Sequence, residues 1–96
     1  MITRIVKMTF KQENTSAFEE VFEEVSPNIS NFKGCKGVKL FRDNKDPRIY
    51  FTFSTWEKES DLENYRQSEL FKGTWQKTKP LFDEQAQAWT VDELLK

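Results

Sequence analysis

The 96 residues contain no histidine. That absence removes the side chain that ordinarily titrates near neutrality, and with it Ser-His and Cys-His nucleophile pairs, a histidine general base and histidine-ligated zinc. Cysteine is almost as scarce. Cys35 stands alone, so the chain has no intramolecular disulfide and no CxxC metal or redox motif, and a small buried thiol is its default role. No run of about eighteen apolar residues occurs, and the opening MITRIVKMTF alternates and carries charge, unlike the apolar core of a signal peptide. A soluble, cytoplasmic protein with no membrane partner is expected. Charge of one sign is also missing: 15 Lys and Arg face 16 Asp and Glu, for a net charge of −1. No basic field is present to hold a phosphate backbone, so no nucleic-acid partner is expected. No Ser/Gly/Pro-rich linker divides the chain, and residues 1–96 read as a single domain.

Aromatic rings, by contrast, are plentiful. Nine Phe, three Trp and two Tyr occur in a chain that is only 36% hydrophobic. Each large ring removes about 150–250 Å² from water when buried, so a few of them can supply most of a core. A chain of this length buries only about two thirds of the surface that its unfolded form exposes, which leaves the core thin and favours burial against a partner.

The hydrophobic period changes several times along the chain. Residues 2–10, ITRIVKMTF, alternate: Ile2, Val6, Met8 and Phe10 share one face and Ile5 lies on the other with Thr3, Lys7 and Thr9, which predicts a first strand. From Asn14 to Phe32 the apolar residues Phe18, Val21, Phe22, Val25, Ile29 and Phe32 recur at helical spacing. Asn14 or Ser16 is the expected cap, with Ser16 and Glu19 in capping-box positions, and Pro27 predicts a kink or a fresh turn. Gly34 suits a left-handed helix end, residues 35–42 a second strand, DNKDP at 43–47 a turn, and residues 48–56 a third strand paired with the second. Leu62 and Tyr65 then belong to a short helical piece. Phe71, Trp75, Thr78 and Phe82 mark another, capped by Ser68 and bent at its end by Pro80, and residues 86–91 form a last strand.

The order β-α-β-β-α-β predicts an α+β fold of the ferredoxin-like type: a four-stranded antiparallel sheet with its helices on one face. On the third strand Ile49, Phe51 and Phe53 point one way and Tyr50 and Trp56 the other, and Leu40 and Phe41 divide likewise. Large rings on both faces imply that both are covered. Helices cover one, and a second copy of the sheet about a two-fold axis is the simplest cover for the other, so a homodimer is expected.

The segment YFTFSTWEKESDLENYRQSELF, residues 50–71, resembles the dimeric α+β barrel proteins, in particular the antibiotic biosynthesis monooxygenase group. The similarity lies in a strand ending in Trp, an acidic helix start and a Ser-x-x-Phe helix restart, and the preceding FKGCKGVKLFRD adds a Gly-flanked second strand. It spans nearly the whole chain. The resemblance implies a small dimeric oxygenase that uses no metal, flavin or haem on polycyclic aromatic substrates, a haem-degrading enzyme, or a quinol-handling enzyme. The haem-degrading branch relies on an Asn, a Trp and an iron-ligating His. Here Tyr65 stands in the tryptophan's place and Trp75 in the histidine's, so haem chemistry is not expected, and no cofactor is.

Chemistry without a cofactor requires an electron-rich substrate that loses a proton and reduces dioxygen directly, while the protein orients it, keeps it dry and stabilises its charge. Tyr65 and Arg66 are the candidate catalytic residues, for proton relay and anion stabilisation. Trp56, Phe71, Trp75, Tyr50 and Arg4 are the candidate walls and anchors for a small aromatic molecule. Each also has a plainer role. Trp56 and Trp75 suit core packing, Arg66 a solvated or dimer contact, and the acidic runs EEVFEE and EKESDLE wet helix faces. Two other classes share this element order. One is a small-ligand-binding dimer with no turnover, and the other an RNA-binding domain. The latter is disfavoured because KGCKGVKLF lies on the second strand, where the corresponding motif belongs on the third.

Overall fold

In the computed structural model, which describes residues 1–95, the alternating segment Ile2–Phe10 is strand β1. The chain continues through a 3₁₀ turn into helix α1 (Thr15–Ser30), then β2 (Cys35–Arg42), β3 (Ile49–Trp56), α2 (Glu59–Arg66), α3 (Glu69–Thr78), a second 3₁₀ turn over Lys79–Leu81, and β4 (Phe82–Asp92). The four strands form one antiparallel sheet in the order β2-β3-β1-β4. This is the expected ferredoxin-like α+β arrangement, with the second helical region in two pieces.

Several local expectations need correction. Neither Asn14 nor the Ser16 and Glu19 pair caps α1 through a side chain. Asn14 Nδ2 instead donates to the Leu81 carbonyl at 3.3 Å, which ties the helix start to the turn before β4, and Glu19 accepts the Tyr50 hydroxyl. No fresh turn starts at Pro27, since α1 runs through it to Ser30. Pro27 and Glu23 are both exposed, so the carbonyl that loses its helical donor faces solvent, where its loss is cheap. Phe82 is not the end of α3 but the first residue of β4, which begins four residues earlier than its alternation predicts. Pro80, inside the 3₁₀ turn, separates the two elements.

Ser68 behaves as expected and does two jobs. Its Oγ donates to the Tyr65 carbonyl at 2.6 Å and accepts from the Phe71 amide at 3.1 Å, so one side chain closes α2 and opens α3. Gly34 is left-handed as expected, at φ 85°, but it does not end the helix: α1 stops at Ser30 with Asn31 as a right-handed cap, and Gly34 lies in the turn that enters β2, where a Cβ would collide with the Asp61 side chain.

The helices pack against the even-numbered face of β1. Two buried clusters lie under them. One joins Val25, Ile29, Trp56, Leu62 and Tyr65, and the other joins Met8, Phe10, Phe18 and Tyr50. Among the described residues no helix covers the opposite face. A row of directly paired residues, Lys39, Phe53, Ile5 and Trp89, crosses all four strands there. Phe41, Phe53, Trp89 and Val91 are 47%, 37%, 46% and 38% exposed, and Phe41 meets Phe53 edge-on at 5.2 Å. Among the described residues no helix is long and apolar enough to cross a membrane.

Candidate functional site

Between the two clusters the helix layer does not close on the sheet. Alternation along β1 turns Arg4, Val6 and Met8 toward the helices, and α3 presents Phe71, Thr74, Trp75 and Thr78 from above. The space between them is an inner chamber of about 90 Å³. Beside it lies an outer vestibule of about 700 Å³ bordered by Arg66, Lys79, Phe82 and the β4 residues 83–86 and 88. Arg4, Val6, Phe71 and Trp75 line both spaces and form the neck between them.

One side of the site is a chain of rings. Trp56 stacks on Tyr65 with centroids 5.0 Å apart, Tyr65 meets Phe71 edge-on at 5.3 Å, Phe71 lies parallel to Trp75 at 6.1 Å, and Trp75 meets Phe82 edge-on at 5.5 Å. The spacing of Phe71 and Trp75, four apart on α3, places their rings on one helical face. Thr74 and Thr78 direct their hydroxyls back to the carbonyls of Leu70 and Thr74, at 2.8 and 2.7 Å, and present methyl groups elsewhere.

Arg4 is the charged member of the neck. Its guanidinium forms no ion pair or hydrogen bond with another described residue. Burial, and then the nearby charge of Arg66, lower its pKa from the usual arginine value, so the site favours an incoming anion. Arg66 is more exposed and is paired with Glu63 at 3.2 Å. Tyr65 lines the inner chamber, and its hydroxyl makes no hydrogen bond within the described residues. Burial, followed by the neighbouring Cys35, pushes its pKa up to about 12, with Arg4 acting in the opposite sense. At neutral pH Tyr65 is therefore a hydrogen-bond donor and not a base.

The structure brings together Arg4, Tyr65, Phe71 and Trp75, with Arg66 at the rim of the vestibule. Trp56 stands behind that wall, fully buried, and donates its indole N–H to Ser54 Oγ at 2.9 Å. Tyr50 belongs to the other cluster and lines neither space. Cys35 is half-buried beside Trp56, and burial raises its thiol pKa.

Val6, Lys79 and Glu84 also border the site and are not among the residues expected to form it. Val6 was accessible to sequence reasoning, since it alternates with Arg4 and Met8. Lys79 and Glu84 lie where a turn and an irregular strand pairing decide the geometry, and no period marks them. Among the described residues no group of three or more Cys, Asp and Glu side chains is arranged to hold a metal ion.

Comparison with known proteins places this geometry. The family profile described as "Antibiotic biosynthesis monooxygenase" matches residues 1–77. A candidate antibiotic biosynthesis monooxygenase from Nitrosomonas europaea superposes with a TM-score of 0.91 at 15% identity, covering 99% of this chain and 100% of its own. A conserved protein from Methanosarcina mazei Go1 gives 0.90 at 18% identity, over 98% and 94% of the two chains. A candidate antibiotic biosynthesis monooxygenase from Bordetella bronchiseptica gives 0.88 at 24% identity, over 98% and 97%. At these identities the superpositions establish the fold alone. No curated protein sequence matches the chain.

Proposed function

We propose that this chain, which belongs to the antibiotic biosynthesis monooxygenase family, oxidises a small aromatic or quinol-type molecule with dioxygen and without a cofactor. The observation that carries this reading is Arg4, half-buried and without an ion-pair partner among the described residues, at the neck of a ring-walled cavity. An opposite charge within about 4–6 Å lowers the pKa of an acid by about 1–3 units, which brings an ordinary phenol or an activated ring methylene closer to ionisation at neutral pH. Arg4 would hold the resulting oxyanion, and Tyr65, protonated, would donate a second hydrogen bond to it. Phe71 and Trp75 would keep the ring flat and dry. The substrate anion then supplies electrons to dioxygen. At an activated CH₂ the carbon bonds one oxygen and the distal oxygen takes a proton. Loss of water then leaves the carbonyl, so that CH₂ plus O₂ becomes C=O plus H₂O. A quinol would instead give a quinone and hydrogen peroxide.

A second reading, a binding module of the same fold with no turnover, is favoured by one observation. Among the described residues no carboxylate lines the inner chamber, and the acids Asp83 and Glu84 border only the vestibule. Oxygen-electrode measurements with a panel of quinols and anthrones separate the two. Uptake above the buffer rate that falls in Arg4→Met supports the oxygenase, whereas saturable binding with no uptake makes the protein a binder.

The working form is proposed to be a homodimer joined through the helix-free face. Phe41, Phe53, Trp89 and Val91 form an apolar patch there, and burying a ring or aliphatic side chain of this size is worth roughly 1.5–3 kcal/mol. Sedimentation equilibrium at micromolar concentration should return twice the chain mass, and a monomer mass ends this part of the proposal.

A further inference from the structure

We propose that the inner chamber is a dioxygen site and that the aromatic ligand stops in the vestibule, with the two meeting at the neck. This rests on the oxygenase reading given above. Size decides first. An apolar cavity of about 150 Å³ holds a single benzene ring. The inner chamber, at about 90 Å³, is too small for one ring and ample for a diatomic molecule. The vestibule, at about 700 Å³, lies within the range of about 300–1,000 Å³ usual for small organic ligands.

Chemistry decides second. By volume the inner chamber could take about three waters, but a buried water needs two to four polar partners. The deep walls are Met8, Phe18, Phe22, Ile29 and Val38. Of the lining hydroxyls, those of Thr74 and Thr78 donate to helix carbonyls, and that of Ser54 accepts from Trp56. The polar groups that remain, the Thr52 and Tyr65 hydroxyls and the Arg4 guanidinium, are few against a predominantly apolar lining, and a neutral apolar gas molecule loses little by leaving solvent for such a space.

Position decides third. Arg4, Phe71 and Trp75 face both spaces, so a ring lying on the two aromatic residues with its anionic oxygen on Arg4 presents one face to the inner chamber. Dioxygen would approach from the protein interior, and the first reduced oxygen species would form beside a fixed positive charge.

Xenon is the probe, since it is apolar, similar in size and independent of turnover. Crystals pressurised with xenon should show a peak among Met8, Phe18 and Ile29 and none in the vestibule. Thr74→Leu and Thr52→Ile each fill the inner chamber from a different element, so one remains informative where the other fails to fold. Either should remove the xenon and raise the KM for dioxygen about tenfold, within the ceiling expected for a two-atom ligand. Anaerobic binding of 1,4-naphthohydroquinone, read by tryptophan fluorescence, should stay within about twofold of the parent. An empty chamber under xenon, with normal oxygen uptake, overturns the chamber assignment alone. Weakened naphthohydroquinone binding in both filled variants does the same. Xenon in place but no oxygen uptake from any substrate sinks the oxygenase reading, and the dioxygen assignment falls with it.

Discussion

Tyr50 and Tyr65 both lie between the sheet and its helices, and both are nearly inaccessible, at 2% and 8% exposure. Their surroundings differ in what is left over. The Tyr50 hydroxyl donates to Glu19 Oε2 at 2.5 Å with Arg42 behind at 3.9 Å, and its ring is held edge-on by Phe10 and Phe18 at 5.6 and 5.2 Å. Among the described residues no buried side-chain polar atom there lacks a partner, and Tyr50 itself borders neither space. Tyr65 has rings on several sides, yet its hydroxyl has no partner among the described residues and the chamber lies next to it. Burial is thus common to the closed and the open end of the layer. An unmatched polar group beside empty volume separates them, and that is the property a ligand can use.

The contrast is broken most severely by emptying the closed end. Phe10 is fully buried, stacks on Phe18 at 4.3 Å and touches Tyr50 and Phe82. Phe10→Ala should cost about 3–5 kcal/mol in urea denaturation at fixed protein concentration. That is a large part of the roughly 5–15 kcal/mol that holds a small domain together. Trp75→Ala at the open end should cost less than about 2 kcal/mol, because its ring is only partly buried and already borders a void. Equal losses would mean that the open end is packed after all.

Alkaline pH sharpens the same contrast. The folded-state pKa of Tyr65, at about 12, lies above its ordinary value of 10 because burial disfavours the phenolate. A raised tyrosine pKa stabilises the fold fully below pH 10, and that stabilisation is lost as pH climbs from 10 through about 12. Two units correspond to on the order of 2–3 kcal/mol. Tyr65→Phe should remove that share of the alkaline loss, measured as the difference in stability between pH 9 and pH 12 for parent and variant. An unchanged difference would mean that Tyr65 ionises as though in water.

The two arginines give the next effect. Hydrogen bonds to a charged group contribute about 1.5–3 kcal/mol, so Arg4→Met should weaken an ionised naphthohydroquinone or naphthol ligand by about tenfold to a hundredfold in fluorescence titration. Arg66→Met should change it less, since Arg66 is exposed and already engaged by Glu63. A reversed ranking would move the anion site outward to the vestibule rim.

How much of this was legible in the residues follows from which forces act locally. The strands, the two helical regions, the Ser68 restart and the left-handed backbone of Gly34 all follow from period and from backbone chemistry within a few residues, whereas the end of α1 at Ser30 does not. The sharing of one face by Arg4, Val6 and Met8 is equally local. What the sequence could not separate was Tyr50 from Tyr65, because the partner that silences Tyr50 is Glu19, 31 residues away. Trp56 and Trp75 pose the same difficulty. Both sit at positions that suit a core, and only the packing of α2 over β3 hides the first while the α3 overhang leaves the second at a neck. The Glu19 exchange also explains the failed capping box, since a carboxylate claimed by a buried phenol is no longer free to turn back to its own helix start. Lys79 and Glu84 escaped because an irregular strand pairing near Glu84 has no periodic signature.

The smallest expected effect is the most discriminating. Tyr50→Phe removes a hydroxyl whose acceptor, Glu19, is half exposed, so the carboxylate left behind can turn to water. A stability loss of about 1 kcal/mol is expected, below the range for a fully desolvated charged partner. Affinity for the aromatic ligand should not change, because Tyr50 borders neither space. Tyr65→Phe should do the opposite, leaving neutral-pH stability nearly unchanged, since no internal hydrogen bond is lost, while lowering ligand affinity by several-fold for the loss of one donor. The pair of variants forms a crossed test in which each tyrosine controls for the other. If Tyr50→Phe weakened binding as much as Tyr65→Phe, the two ends of the layer would be coupled through Met8 and Phe18, which belong to the closed cluster and also line the inner chamber. The division between structural and ligand-facing tyrosine would then fail.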